Sequence, residues 1–380
     1  MSGPLTGYRV VELAGLGPGP FAGMVLADMG ADVIRVDRPG GLNRRHDPLN
    51  RGRRSVTIDL KQPDGAAVVR RLCRSSHALI EGFRPGVAER LGVGPDDCRA
   101  ENPALVYGRM TGWGQTGPNA MLAGHDINYI SLSGALAAIG PTDGPPVAPL
   151  NLLGDFGGGG MLLAFGVVCG ILEAQRSGEG QVIDSSMVDG ASLLMAMIYG
   201  FRARDDWDLE RGANKLDGGA PFYSVYECAD GGFLSVGCIE PQFFEIFVQT
   251  IGADPDLLGR QDDKASWPAD RAAIAAILAT RTRDEWCAVL ERTDACVAPI
   301  LDLAEAPAHP HNVERRTFLE RDGVVHPGPA PRFSRTVPEA GDALAPGRHT
   351  VAVLRDSGFE ADEIEALLAS RTIHEEHQDA

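Results

Sequence analysis

The sequence lacks the cysteine patterns that build disulfide frameworks or zinc sites. Its seven cysteines (73, 98, 169, 228, 238, 287 and 296) are scattered and odd in number, with no C-x-x-C pair and no histidine cluster beside them. That spacing points to a reducing compartment and to no bound metal. Basic charge is also in deficit: 35 Lys and Arg stand against 52 Asp and Glu, a net of −17. Such a balance disfavours nucleic acid or an anionic membrane surface as the main partner, while leaving room for a small polyanion held by a local basic patch. Long apolar runs are scarce. Phe156–Leu172 carries no charge over 17 residues, but it starts glycine-rich and runs into Glu173-Ala174-Gln175-Arg176. That is short of the roughly 20 residues a membrane-spanning helix needs, and it predicts a buried core helix. The opening MSGPLTGYRVVEL has no basic segment ahead of an apolar core, and the ending HQDA is not a peroxisomal address, so a cytoplasmic protein is expected. There is no internal repeat and no low-complexity tract.

What is present suits an enzyme of two domains: 380 residues, 44% apolar and 23% charged. Strands are predicted at Arg9–Leu13, Ala31–Val36, Ser55–Leu60, Ala78–Glu81, Leu105–Met110 and Gln181–Asp184, with helices at about 21–29 and 63–75. That alternation indicates an α/β domain with a mainly parallel sheet. The apolar, glycine-rich stretch 127–172 predicts buried helices, and 187–199 a further one. Residues 201–220 read as a linker. Tyr223–Glu227 and Phe233–Gly237 flank Ala229-Asp230-Gly231-Gly232 as a hairpin, followed by helices near 241–251, 271–281 and 284–292 and the apolar run Cys296–Leu301. The expected organisation is a Rossmann-like large domain over 1–200, completed by 325–380, and a small α+β domain over 221–305 with a return linker at 306–324. The proline- and glycine-rich 302–350 is expected to be extended, and 361–370 to be a closing helix.

Several motifs carry possible chemistry. Gly17-x-Gly19-x-x-Ala22 follows a strand, opens a helix and has Asp37 20 residues beyond, close to a dinucleotide fingerprint. Pro18 and Pro20 remove backbone donors where a pyrophosphate docks, which favours a plain strand-to-helix turn. Arginines crowd at 35, 38, 44, 45, 51, 53 and 54, and guanidinium forks match phosphate oxygens. A solvated loop is the alternative. His125, in Gly124-His125-Asp126-Ile127-Asn128-Tyr129, and Asp155, in Gly154-Asp155-Phe156 ahead of four glycines, are two proton-transferring groups of different type. Inversion of a carbon centre needs such a pair, one to remove a proton and one to return it on the opposite face. His125 also reads as a core histidine, Asp155 as a helix N-cap, and Glu240 as a surface acid before a helix. The methionines at 187, 195 and 197 read as core.

The words of the chain resemble the α-methylacyl-CoA racemases, within the larger family III CoA-transferase group. The resemblance runs from Val10 to Leu368. It is carried by Asn50-Arg51-Gly52-Arg53-Arg54-Ser55 leading into Asp59-Leu60-Lys61, by Phe83-Arg84-Pro85-Gly86, by Thr111-Gly112-Trp113-Gly114-Gln115-Thr116-Gly117-Pro118, by the segment around His125, by Arg211-Gly212-Ala213-Asn214 with Leu216-Asp217-Gly218-Gly219-Ala220-Pro221, and by His349-Thr350 to Leu354. It implies an interlocked homodimer acting on an acyl-CoA, with no cofactor, neither metal nor NAD. It implies His125 and Asp155 as the catalytic pair, joined by Glu240 from the partner chain. It places Asp126, Gly154, Tyr129 and Asn151 around the thioester, with backbone N–H groups near Asp126 and Asp155 on the enolate oxygen. Arg38, Arg51, Arg54, Arg84 and Arg90 are expected on CoA and Met187 on the acyl chain. Within the group, CoA transferases use the aspartate matching Asp155 as a nucleophile, so transfer is the alternative reading. Cys296 is expected to be structural.

Overall fold

Alternation with a period of two organises the sheet. In this computed structural model, which describes residues 3–41, 47–343 and 345–376, Val11, Ile34, Leu79 and Tyr107 pack into one apolar cluster, and their neighbours Val10, Val33, Ile80 and Val106 into another. Each strand thus feeds the two faces of one sheet in turn. The strands are β1 (Arg9–Leu13), β2 (Asp32–Asp37), β3 (Arg53–Ile58), β4 (Ala78–Glu81), β5 (Val106–Thr111) and β6 (Val182–Ser186), all parallel. One short antiparallel edge strand comes from Ile373–His374, and the order across the sheet is Ile373–His374, β3, β2, β1, β4, β5, β6. The helix Gly65–Cys73 covers one face through Val68, Val69 and Leu72; Pro18–Asp28 and Leu162–Ser177 cover the other through Ala22, Leu26, Leu163 and Val167. β1 and β4 are neighbours, and the chain winds outward on either side of them. The crevice beyond their carboxyl ends is where open α/β sheets of this kind bind ligands.

The chain divides into two compact units. The first comprises Met1–Ser133, Leu150–Leu194 and Pro310–Ala380, and holds this sheet. The second comprises Gly134–Pro149 and Met195–His309. In it Tyr223–Glu227, Phe233–Gly237 and Val297–Ile300 form an antiparallel sheet. The helices Pro241–Ile251, Trp267–Leu278 and Arg283–Leu290 pack on that sheet around Phe222, Phe244, Phe247 and Trp286.

Three expectations need correction. The stretch 187–199 is not one helix but two, Met187–Leu194 and Ala196–Ala203. The stretch 302–350 is not simply extended: it contains the helix Pro310–Arg315 and a hairpin of Phe318–Arg321 with Val324–Pro327. That hairpin turns on Asp322 and Gly323, both at positive φ, the Asp-Gly signature of a tight turn. Third, the apolar run after Asp155 is only half buried. Leu152–Ser177 is long and apolar enough to cross a membrane by length and composition, with 44% of its most apolar window buried. Its buried face lies on the sheet, where Gly170 meets Val106 and Ile183. Met161, Phe165, Cys169 and Leu172, spaced by four, four and three, form an exposed stripe on the opposite face.

The beginning of that run departs from the α-helix. Leu152–Met161 winds as a π-helix, a form found mostly as single turns and often at functional sites. Its glycines permit close packing. A Cβ on Gly158 would lie 2.6 Å from the amide nitrogen of Ala191, and one on Gly190 would lie 1.8 Å from the carbonyl oxygen of Gly158. Two backbones touch here without side chains between them, so the wider winding is fixed against the helix Met187–Leu194.

Candidate active site

A cleft of about 380 Å³ opens at the carboxyl ends of β1, β4 and β5. His125, Tyr129, Asp155, Met187 and Arg84 line it, together with the glycine turn 15–19. The structure therefore brings both sequence-predicted proton-transfer groups to one crevice, within the first unit.

His125 is the N-cap of the helix Asp126–Leu132, with extended backbone. Its N–H donates to Oδ1 of Asn128 at 3.0 Å, and its side chain is exposed to the cleft. Asp126 opens the helix and is 5% exposed. Its Oδ2 accepts the N–H of Gly154 at 2.7 Å and that of Asp155 at 2.8 Å. This corrects the expectation for the enolate oxygen, because the Gly154 and Asp155 amides are already engaged. The N–H of Asp126 remains as a donor: at the first helical position it has no intrahelical acceptor.

Asp155 sits half-buried in the first turn of the π-helix, and Nδ2 of Asn151 donates to its Oδ2 at 3.1 Å. Burial pushes its pKa above the ordinary aspartate value. The Asp126 charge adds to that rise, while the Asn151 hydrogen bond and His125 work against it. Gly17 faces the same oxygen. A Cβ there would come 3.3 Å from Oδ2 of Asp155, and Gly17 has a φ of +64°. Only glycine combines that backbone with open space before the carboxyl. The turn that resembles a dinucleotide fingerprint is thus a wall of this cleft, and Asp37 is engaged elsewhere, accepting from Ser55 Oγ at 2.7 Å and Arg35 Nε at 3.1 Å.

Tyr129 is 6% exposed and packs edge-on against Trp113, ring centroids 4.8 Å apart. Gly112 and Gly124 make room for its ring: a Cβ on either would lie within 2.8 Å of it. Burial raises the phenol pKa, so Tyr129 stays a neutral donor. Met187, 7% exposed, starts the helix Met187–Leu194 and rests on Gly159. The sequence missed the Asp126 carboxylate and the role of Gly17, since neither short hydrogen bonds nor a close approach between distant segments leaves a local pattern.

The arginines divide. Arg84 lines the cleft, and Arg90 and Arg38 are exposed. Arg51 and Arg54, expected on CoA, are committed internally. Arg51 is 4% exposed, forks onto Asp28 at 2.6 and 3.0 Å, and donates to the carbonyl of Pro327 at 2.7 Å. Arg54 forks onto Asp32 at 2.6 and 2.8 Å and reaches Asp356 at 2.7 Å. Arg44 and Arg45 lie outside the described residues. Glu240 belongs to the second unit, exposed at the N-cap of Pro241–Ile251. No metal-holding group of three or more His, Cys, Asp or Glu side chains occurs among the described residues.

A family model described as CoA-transferase family III matches residues 5–348. The chain belongs to CoA-transferase family III. Two curated relatives are each named alpha-methylacyl-CoA racemase. The mouse protein is 47% identical over 372 residues, and the human protein 47% identical over 374, in both cases across 97% of this chain and 97% of the relative. Among solved structures, a CAIB/BAIF family protein from Brucella suis superposes with a TM-score of 0.79 at 26% identity, covering 94% of this chain and all of that one. This family III member therefore shares its α/β architecture with known structures, and the crevice described above lies within the matched length.

Proposed function

We propose that this family III protein is a racemase that interconverts (R)- and (S)-2-methylacyl-CoA thioesters by 1,1-proton transfer. The observation that carries the reading is the placement of a histidine and a pKa-raised carboxyl on two different segments of one cleft. The name borne by the relatives at 47% identity agrees with it. The α-hydrogen of a thioester is acidified because the carbanion delocalises into the carbonyl as an enolate. His125 removes the proton from the S substrate and Asp155 from the R substrate, and the other group returns a proton on the opposite face. The N–H of Asp126, without an intrahelical acceptor, is the donor we assign to the enolate oxygen. A raised Asp155 pKa suits this scheme, since the carboxyl must serve as acid in one direction and as base in the other. The two groups share one transferable proton.

CoA is part of the substrate, and the chemistry asks for neither metal nor nicotinamide. Arg84, Arg90 and Arg38 are the exposed arginines suited to its phosphates, and Met187 offers an adaptable apolar surface to the acyl chain. The enzyme works in the cytoplasm as an interlocked homodimer, in which the partner subunit's Glu240 orients His125. The exposed stripe of Met161, Phe165 and Leu172 is consistent with a second chain covering that helix.

A second reading follows from the family's other members: CoA transfer with Asp155 as nucleophile through an acyl-enzyme anhydride. One experiment separates the two. A pure (S)-2-methylacyl-CoA is incubated with the enzyme in heavy water without an acceptor acid and followed by NMR. Racemisation predicts loss of the α-proton signal and appearance of the R epimer. No α-proton exchange, with CoA transfer once an acceptor acid is added, supports transfer instead. His125→Ala should abolish exchange from the S substrate and Asp155→Ala from the R substrate, both should abolish epimerisation, and normal exchange by both variants from both enantiomers rules the two-base scheme out.

A further inference from the structure

We infer that the carboxylate of Asp126 is a positioning residue that holds the two proton-transfer groups in register; the inference rests on the racemase reading. Asp126 belongs to both arms of the site. Its backbone directly follows His125 and opens the helix Asp126–Leu132, so it sets where the histidine leaves that helix. Its Oδ2 accepts two amides 28 and 29 residues away, Gly154 at 2.7 Å and Asp155 at 2.8 Å, so it also sets the turn that carries the other base. No other side chain among the described residues hydrogen-bonds those two amides.

The surroundings are built for this contact. Gly154 is buried, and a Cβ on it would lie 2.7 Å from Oδ2 of Asp126 and 3.2 Å from Cγ2 of Ile130. Oδ1 of Asp126 is buried without a hydrogen-bond partner. A clamp alone does not require that second oxygen, or a charge, because an amide oxygen accepts two N–H groups equally well. The retained carboxylate has a further effect. Its negative charge next to Asp155 disfavours the Asp155 anion and keeps that group able to carry a proton. The titratable and charged groups facing Asp155 are His125, Asp126 and Tyr129 from the histidine segment and its helix. Arg84 reaches Tyr129 from the loop after β4.

The test compares Asp126→Asn with Asp126→Ala in the full-length enzyme, measuring α-proton exchange from each pure enantiomer, KM, and the pH profile. Asn keeps one oxygen for the two amides and removes the charge. D126A should lower kcat from both enantiomers on the order of 100-fold, the cost of a misplaced reacting group, with KM little changed. D126N should recover most of that rate. It should also move the acid limb for the R substrate, where Asp155 must be deprotonated, to lower pH. Wild-type kcat in D126A overturns the inference, as does D126N that is as slow as D126A or whose acid limb stays in place. If D126A fails to fold, D126N alone decides: a kcat about 100-fold below wild type, or an acid limb that stays in place, overturns the inference. Amide hydrogen exchange at Gly154 and Asp155 adds a readout independent of turnover: protection in wild type and D126N, and its loss in D126A. Protected amides in a wild-type enzyme that exchanges no α-proton would count against the racemase reading rather than against the clamp.

Discussion

Asp155 shows at the scale of one residue how a site works against the fold that carries it. Burial raises its pKa, so the folded chain binds its proton more tightly than the unfolded chain does. Stability is therefore least affected where the carboxyl is protonated in both states, at low pH, and declines as pH rises through the raised folded value. Asp155→Asn removes that cost. At pH 7 it should raise the melting temperature by about 1–3 °C, with the gain vanishing in acid, while racemisation is lost. Scanning calorimetry at pH 4 and pH 7 checks both the sign and the window; a variant that melts lower than wild type at pH 7 contradicts the assignment. The residue pair itself was legible in the sequence, since His125 and Asp155 each sit in distinctive words of small residues. Their surroundings were not. That Gly17 faces Asp155, or that Asp126 holds two amides from another segment, depends on tertiary approach rather than on local composition.

Elements were legible where periodicity was strong and blurred where other constraints took over. β1 and β4 fall at their expected bounds, Arg9–Leu13 and Ala78–Glu81, because each is an apolar run with turn residues at its ends. The π-winding of Leu152–Met161 was invisible, since glycine has no side chain to give a period and the winding is fixed by Gly190 of another helix. The arginine cluster misled for a different reason: sequence counts charge but cannot tell an arginine facing solvent from one facing an aspartate. Arg51 and Arg84 should accordingly respond differently to the same substitution. Arg51→Ala leaves Asp28 buried and unpaired, a cost of about 3–5 kcal/mol, visible in urea unfolding as a lower midpoint. Arg84→Ala should leave that midpoint in place and raise KM for acyl-CoA several-fold, as loss of an exposed phosphate partner does. Equal melting behaviour in the two variants would show that the division drawn between them is mistaken.

At the scale of the whole molecule, the exposed stripe on Leu162–Ser177 demands a cover. Phe165 is 65% exposed and Leu172 55%, on a helix whose other face is sheet core. In the proposed dimer that stripe meets the second chain. Light scattering should give twice the 40.3 kDa chain mass. Phe165→Glu should dissociate or aggregate the protein and abolish exchange even though His125 and Asp155 are intact, because the partner subunit's Glu240 is then missing. A fully active monomer would remove both the dimer and that role for Glu240. The sequence foresaw a buried helix there because composition cannot tell which face of an apolar helix packs on the sheet and which stays open. One consequence reaches beyond the reaction to its competitors. Of the first three positions of the helix Pro18–Asp28, only Gly19 carries an N–H. A free dinucleotide or nucleoside triphosphate entering this crevice meets one amide where a phosphate-binding turn presents several. Two charge-assisted hydrogen bonds forgone are worth about 3 kcal/mol or more, roughly a hundredfold in affinity. Two prolines thus leave this turn a poor competitor for free nucleotides, and the crevice takes its ligand by other contacts.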